Sequence, residues 1–126
     1  MNLASVRLVT NNVDGLVSFY SLLTGREAAR PSPEFAELRF NEAALAISSE
    51  RLIKQFNAGA AVAAANRSAM IEFQVDDVDA VRARLQGAEI DYVMQPTDMP
   101  WGNRSMLLRD PDGNVVNIFA RMKRTA

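Results

Sequence analysis

Apolar residues recur along this chain in two rhythms, one of period two and one near 3.6, and the same order of rhythms occurs twice. Across residues 3–10, apolar Val6 and Leu8 alternate with polar Ser5 and Arg7, the pattern of a strand with one buried face. Asn11-Asn12 then offers a helix N-cap, and Val13, Leu16, Val17 and Tyr20 fall on one helical stripe. Thr24-Gly25 is the stop, because glycine suits the left-handed position that closes a helix. Residues 27–30 read as a short strand ended by Pro31-Ser32-Pro33. Residues 35–40 and 43–48 read as a hairpin turning at Asn41-Glu42.

The second half repeats the order. Ile71, Phe73 and Val75 alternate on a strand over residues 69–75, and Asp76-Asp77 caps a helix carrying Val78, Val81 and Leu85. Gln86-Gly87 ends that helix. Residues 92–95 read as a strand stopped by Pro96, and Pro100-Trp101-Gly102 as a turn. Residues 104–109 and 115–120 form a last hairpin. Its loop is Asp110-Pro111-Asp112-Gly113-Asn114, with proline at the first central turn position and a glycine able to take positive φ.

The halves superpose at an offset of 65 residues, which carries Val13 to Val78, Val6 to Ile71 and Leu8 to Phe73. Leu45 and Ile47 sit in the first hairpin as Val116 and Ile118 do in the last. The expected fold is therefore α+β, one domain over residues 1–126 made of two paired β-α-β-β-β modules, about 1–49 and 68–121. Residues 50–67 join them. Residues 51–56 have room for one or two helical turns. Residues 58–65 are alanine-rich and read as a connector rather than a packing arm, since small side chains bury little area.

Composition removes much chemistry. The chain has no histidine and no cysteine, so zinc sites of nitrogen and sulfur donors cannot form, nor can Ser-His or Cys-His nucleophile pairs. Fourteen basic and 15 acidic residues give a net charge of −1, too balanced for a nucleic-acid partner. The one basic cluster, Arg121, Lys123 and Arg124, reads as a solvated tail. No apolar run is long enough for a membrane helix, and the N-terminus lacks a secretory pattern, so a cytoplasmic location is expected.

Particular motifs carry a family resemblance over nearly the whole chain. Phe19-Tyr20 with Leu23 and Gly25 resembles the F-Y-x-x-x-L-G helix end of vicinal-oxygen-chelate proteins, with Thr24 inserted before the glycine. Pro100-Trp101-Gly102 and Asp110-Pro111-Asp112-Gly113-Asn114 resemble that superfamily's P-W-G and D-P-x-G-N signatures. The superfamily includes glyoxalases, ring-cleaving dioxygenases and bleomycin-resistance proteins, and the second segment is most similar to the last of these.

The resemblance implies mixed sheets curled around a cavity, helices outside, and a homodimer that completes the cavities. Metal-using members seat the ion on the inner face of four strands, at positions matching Ser5, Ala46, Met70 and Asn117 here. That set implies no metal and no cofactor. Period-two alternation then points Ser5, Arg7, Val9, Ala44, Ala46, Ser48, Met70, Glu72 and Gln74 inward, with Met106, Leu108, Asn117 and Phe119 from the last hairpin.

The candidate ligand-binding residues are Arg7, Met70, Glu72, Gln74, Trp101, Arg104, Met106, Asn117 and Phe119. Trp101 is a stacking wall or a turn residue covering the core. Arg7 and Glu72 are a ligand-orienting charge pair or a plain salt bridge. Met70, Met106, Leu108 and Phe119 are an adaptable apolar lining or ordinary core. Tyr20 and Tyr92 are proton donors or packed rings with satisfied hydroxyls.

The expected function is metal-free binding of a small, partly apolar aromatic compound such as an antibiotic. A net charge of −1 gives little steering of cationic bleomycin itself. A second reading is an enzyme of the same superfamily, a lyase, isomerase or dioxygenase. The absent ligands disfavour its metal-dependent forms, and Glu37, Glu72 or Tyr20 would then act as acid or base. A third reading is a non-catalytic subunit or regulator.

Overall fold

Strand, helix and three antiparallel-linked strands follow one another twice in the computed structural model, which describes residues 1–123. Arg124 of the expected basic cluster lies outside the described residues. The chain divides into two compact units, Met1–Ala65 and a second beginning at Asn66. The first holds β1 (Ser5–Thr10), α1 (Val13–Thr24), β2 (Ala29–Ser32), β3 (Phe35–Arg39), β4 (Ala44–Ser49) and α2 (Glu50–Phe56). The second holds β5 (Met70–Gln74), α3 (Val78–Arg84), β6 (Asp91–Asp98), β7 (Asn103–Arg109) and β8 (Val115–Arg121).

Each unit has a mixed four-stranded sheet, ordered β1-β4-β3-β2 in the first and β5-β8-β7-β6 in the second. The parallel pair lies at one edge of each, and its register repeats. Val6 pairs with Leu45 and Leu8 with Ile47, just as Ile71 pairs with Val116 and Phe73 with Ile118. The repeat seen in the sequence is thus a repeat of strand register.

The helix ends follow from side-chain chemistry. Asn12 Oδ1 accepts from Gly15 N at 3.0 Å and Asp77 Oδ1 from Ala80 N at 3.1 Å, each satisfying a donor that the first turn leaves bare. Gly25 closes α1 at φ 68°, where a Cβ would be strained. The segment joining the modules begins with α2, capped by Ser49 and anchored by Ile53, 2% exposed, against β1 and β4.

One face of each sheet carries the helices. In the first unit Leu16, Tyr20 and Leu23 of α1 are buried over a face bearing Leu8, Ala36, Leu38, Leu45 and Ile47. In the second, Val78, Val81 and Leu85 lie over Met106, Leu108, Val116 and Ile118. Burying one such aliphatic side chain is worth about 1.5–3 kcal/mol, so these faces dominate stability.

Two strands depart from the expected bounds for one reason. β6 does not stop at Pro96 but runs to Asp98, and β2 starts at Ala29 and runs through Pro31 to Ser32. Both are edge strands, and in both the register shifts across the proline. A proline at an irregular point of an edge removes no ladder hydrogen bond. Tyr92 also differs from expectation. It packs on the helical side under Arg82, whose guanidinium carbon lies 4.4 Å from the ring centroid, and its buried hydroxyl has no partner among the described residues.

Candidate functional site

The sheet faces opposite the helices carry the polar and adaptable side chains. In the first unit one row across the strands is Arg7, Ala46 and Glu37, and the next is Ser5, Ala44 and Arg39. Arg39 Nε meets Glu37 Oε1 at 2.8 Å. Arg7 is exposed and has no hydrogen bond or ion pair among the described residues. Ala44, Ala46 and Ser48 form the buried floor between these long side chains.

The equivalent row in the second unit is Glu72, Asn117, Leu107 and Met94, followed by Gln74, Phe119, Ser105 and Thr97. Asn117 Nδ2 donates to Glu72 Oε2 at 2.9 Å, so Glu72 takes its partner from the neighbouring strand. Asn117 Oδ1 is buried and has no partner among the described residues. Met70 is 48% exposed, and Glu72 and Gln74 are exposed beside it.

The structure therefore brings Met70, Glu72, Gln74, Asn117 and Phe119 onto one face, and Arg7 onto the corresponding face of the first unit. It does not bring Met106, Leu108 or Arg104 there. Arg109 pairs with Val115 across the loop, so Leu107 faces with Asn117, and Ser105 with Phe119. Met106 and Leu108, both 0% exposed, pair with Ile118 and Val116 on the helical side. The expected inward direction of the β7 side chains was off by one residue, and one residue reverses every side chain of a strand. Leu107, Ser105 and Met94 share the face of Asn117 and Phe119 and are absent from the candidates named from the sequence. Counting back from the Arg109–Val115 pair gives the first two. Met94 follows only once the β6 bulge is known.

Arg104 points to the helical side as well. Its Nε and Nη2 donate to Asp79 of α3 at 2.8 and 3.0 Å, and its Nη1 to Asp98 at 2.9 Å. This clamp ties the ends of β6 and β7 to α3, at the base of the turn that carries Trp101. Trp101 itself is 71% exposed. Its turn is closed by Gly102 N donating to Met99 O at 3.1 Å and Met99 N donating to Asn103 O at 2.6 Å. A large ring held out on a closed turn offers a stacking surface with little ordering left to do.

A second polar feature lies apart from these faces. A recess of about 370 Å³ sits at the start of α1, lined by Thr10, Asn12, Glu34, Ser49 and Arg51 among others. Arg51 Nε donates to Glu34 Oε1 at 2.6 Å and its Nη2 to Glu34 Oε2. The hydrogen bond from Arg51 holds the Glu34 carboxyl below its usual range, and that from Arg104 does the same for Asp79.

A depressed carboxyl stabilises the fold above its ordinary pKa, and that contribution is lost as pH falls through the lower folded value. Stability is expected to hold from neutral pH to about pH 5 and to fall below about pH 4. Arg104→Gln should flatten that fall, as read by urea midpoints from pH 7 to 2. An unchanged acid slope in the variant contradicts the assignment.

The four strand positions named from the resemblance lie on the helix-free faces, Ser5 and Ala46 in the first unit, Met70 and Asn117 in the second. They do not fit a metal. Alanine has no donor atom, a methionine thioether is a soft ligand, and what is left is one serine hydroxyl and one amide oxygen, both uncharged.

Three comparisons bear on this arrangement. The Glyoxalase/Bleomycin resistance protein/Dioxygenase superfamily matches the sequence over residues 2–118. No curated protein matches the chain. Among solved structures, a glyoxalase-related enzyme from Fulvimarina pelagi is similar at TM-score 0.82 and 21% identity, over 96% of this chain and 88% of that one. A glyoxalase/bleomycin resistance protein/dioxygenase from Nocardioides is similar at TM-score 0.79 and 23% identity, over 99% and 86%. Lactoylglutathione lyase from Agrobacterium tumefaciens is similar at TM-score 0.72 and 22% identity, over 94% and 92%. At these identities the structures speak for the fold alone.

Proposed function

The chain belongs to the glyoxalase/bleomycin resistance protein/dioxygenase superfamily, and from that premise we propose that it is a metal-independent binding protein for a small, partly apolar aromatic compound, such as an antibiotic. The observation that carries this reading is the donor set at the four strand positions, Ser5, Ala46, Met70 and Asn117, which offers a metal too little. What remains on those faces suits a ligand instead. In the second unit Phe119, Leu107 and Met70 supply adaptable apolar contact, Glu72, Gln74 and Asn117 supply orientation, and the exposed Trp101 supplies a stacking surface.

The same reading has the protein acting in the cytoplasm as a homodimer, with no nucleic-acid partner. Among the described residues no helix is long and apolar enough to cross a membrane.

Trp101 is the only tryptophan and reports on its own surroundings. Titrating the protein with a panel of aromatic antibiotics, first with chelator and then with added divalent ions, tests the proposal. Saturable quenching that ignores chelator is the expected result. Quenching that appears only with a divalent ion contradicts it and puts a metal-dependent enzyme in its place.

A further inference from the structure

We propose that the helix-free face of the second unit selects ligands by a hydrogen-bond donor head, of the amidine or amino-heterocycle class, which Glu72 and Asn117 accept together. This rests on the binding reading above and adds the chemistry of the ligand to it.

The starting observation is an amide that is half used. Glu72 and Asn117 are register neighbours on β5 and β8, and Asn117 Nδ2 donates to Glu72 Oε2 at 2.9 Å. A carboxylate can only accept, so it fixes which way the amide is turned, since the reverse would set two acceptor oxygens against each other. Asn117 Oδ1 is thereby turned away. It is buried and unpartnered among the described residues, beyond the reach of water. Glu72 Oε1, on an exposed side chain, has no partner among them either.

The pair thus presents two acceptors, one of them on a charged group, beside the second N–H of the Asn117 amide. A group with two N–H donors on a planar cationic head matches that pattern and makes charge-assisted bonds to it. A carboxylate or phosphate is repelled by the Glu72 charge and leaves Asn117 Oδ1 without a donor. Leu107 lies beside Asn117, and Phe119 and Met70 flank the pair on the same face, so an aromatic ring attached to the head has apolar cover. Reaching Oδ1 requires side chains of this face to take other rotamers, which the exposure of Met70, 48%, and of Glu72 allows.

Benzamidine, benzamide and benzoate share one ring and nearly one size, and differ in the charge and donors of the head. Their binding to the full chain, followed by ligand-observed NMR and Trp101 fluorescence, is expected to weaken in that order, with about tenfold or more between the first and the last. Glu72→Gln should remove most of the preference, bringing benzamidine and benzoate to within about threefold of each other. Asn117→Leu should lose benzamidine binding without lowering the melting temperature, since it deletes the unpartnered oxygen at nearly constant size. An asparagine kept only for packing would not separate those two readouts. Equal binding of all three compounds, or tightest binding of benzoate, overturns the donor rule and leaves the binding reading intact. Saturable binding of none of them overturns both. Should Asn117→Leu fail to fold, Glu72→Gln alone still decides the donor rule.

Discussion

Ile118→Ala is expected to destabilise the protein by about 2–5 kcal/mol, against less than half of that for Leu107→Ala on the opposite face of the same sheet. Ile118 is 2% exposed at the centre of β8, flanked by Phe73 on β5 and Met106 on β7. It faces the buried Val78, Val81 and Leu85 at α3. Truncating it loses transfer free energy and leaves a cavity that three neighbouring elements cannot close. Leu107 is only half-buried and leaves no sealed void. Because the register repeats, Ile47→Ala in the first unit belongs with Ile118→Ala, with Leu8 and Ala36 as its flanking neighbours. Urea unfolding with a common m-value reads all three. Equal losses at Ile118 and Leu107 would show that the two faces are not energetically distinct.

Asp110→Ala is the second large effect, roughly 3 kcal/mol or more. Asp110 is 5% exposed and organises the last hairpin loop from within. Its carboxylate accepts from Asp112 N at 2.9 Å, Asn114 N at 2.9 Å and Asn114 Nδ2 at 2.7 Å. Alanine leaves these donors without their acceptor, at roughly 1–3 kcal/mol for each one that water does not reach. Asn114 also accepts from Asn66 Nδ2 at 3.0 Å, so the damage should spread to the segment entering β5. Asp110→Asn keeps an acceptor oxygen and should lose about half as much. Urea midpoints and amide protection across residues 66–70 and 110–114 check both variants. A loss under about 1 kcal/mol for Asp110→Ala would mean that the loop holds its shape by backbone bonds alone.

Much of the fold was legible because one-sided burial leaves a period in the sequence. The caps Asn12 and Asp77, the stop at Gly25 and the correspondence of the two halves could be read from residue type and spacing. What was not legible has specific causes. Pro96 reads as a strand end until the strand is known to lie at an edge with a bulge. Nearly every residue from Arg104 to Leu108 is compatible with either face, since Met106, Leu107 and Leu108 are consecutive apolar side chains. Alternation cannot choose between faces there, and only the pairing across the hairpin does. That ambiguity moved Met106 and Arg104 into the candidate site and kept Leu107 and Ser105 out. The Glu72–Asn117 bond was hidden for a different reason. Sequence offset related Glu72 to Arg7, its counterpart in the repeat, whereas its partner is its neighbour in the sheet.

The central claim is that an aromatic ligand binds without a metal on the helix-free face of the second unit. Backbone amide NMR of the chelator-treated protein, titrated with a compound that quenches Trp101, tests it most directly. The account predicts saturable shifts gathered on Met70, Glu72, Leu107, Asn117 and Phe119, with little change at Val78, Val81 and Met106. Shifts confined to the helical side, or appearing only after a divalent ion is added, would contradict it.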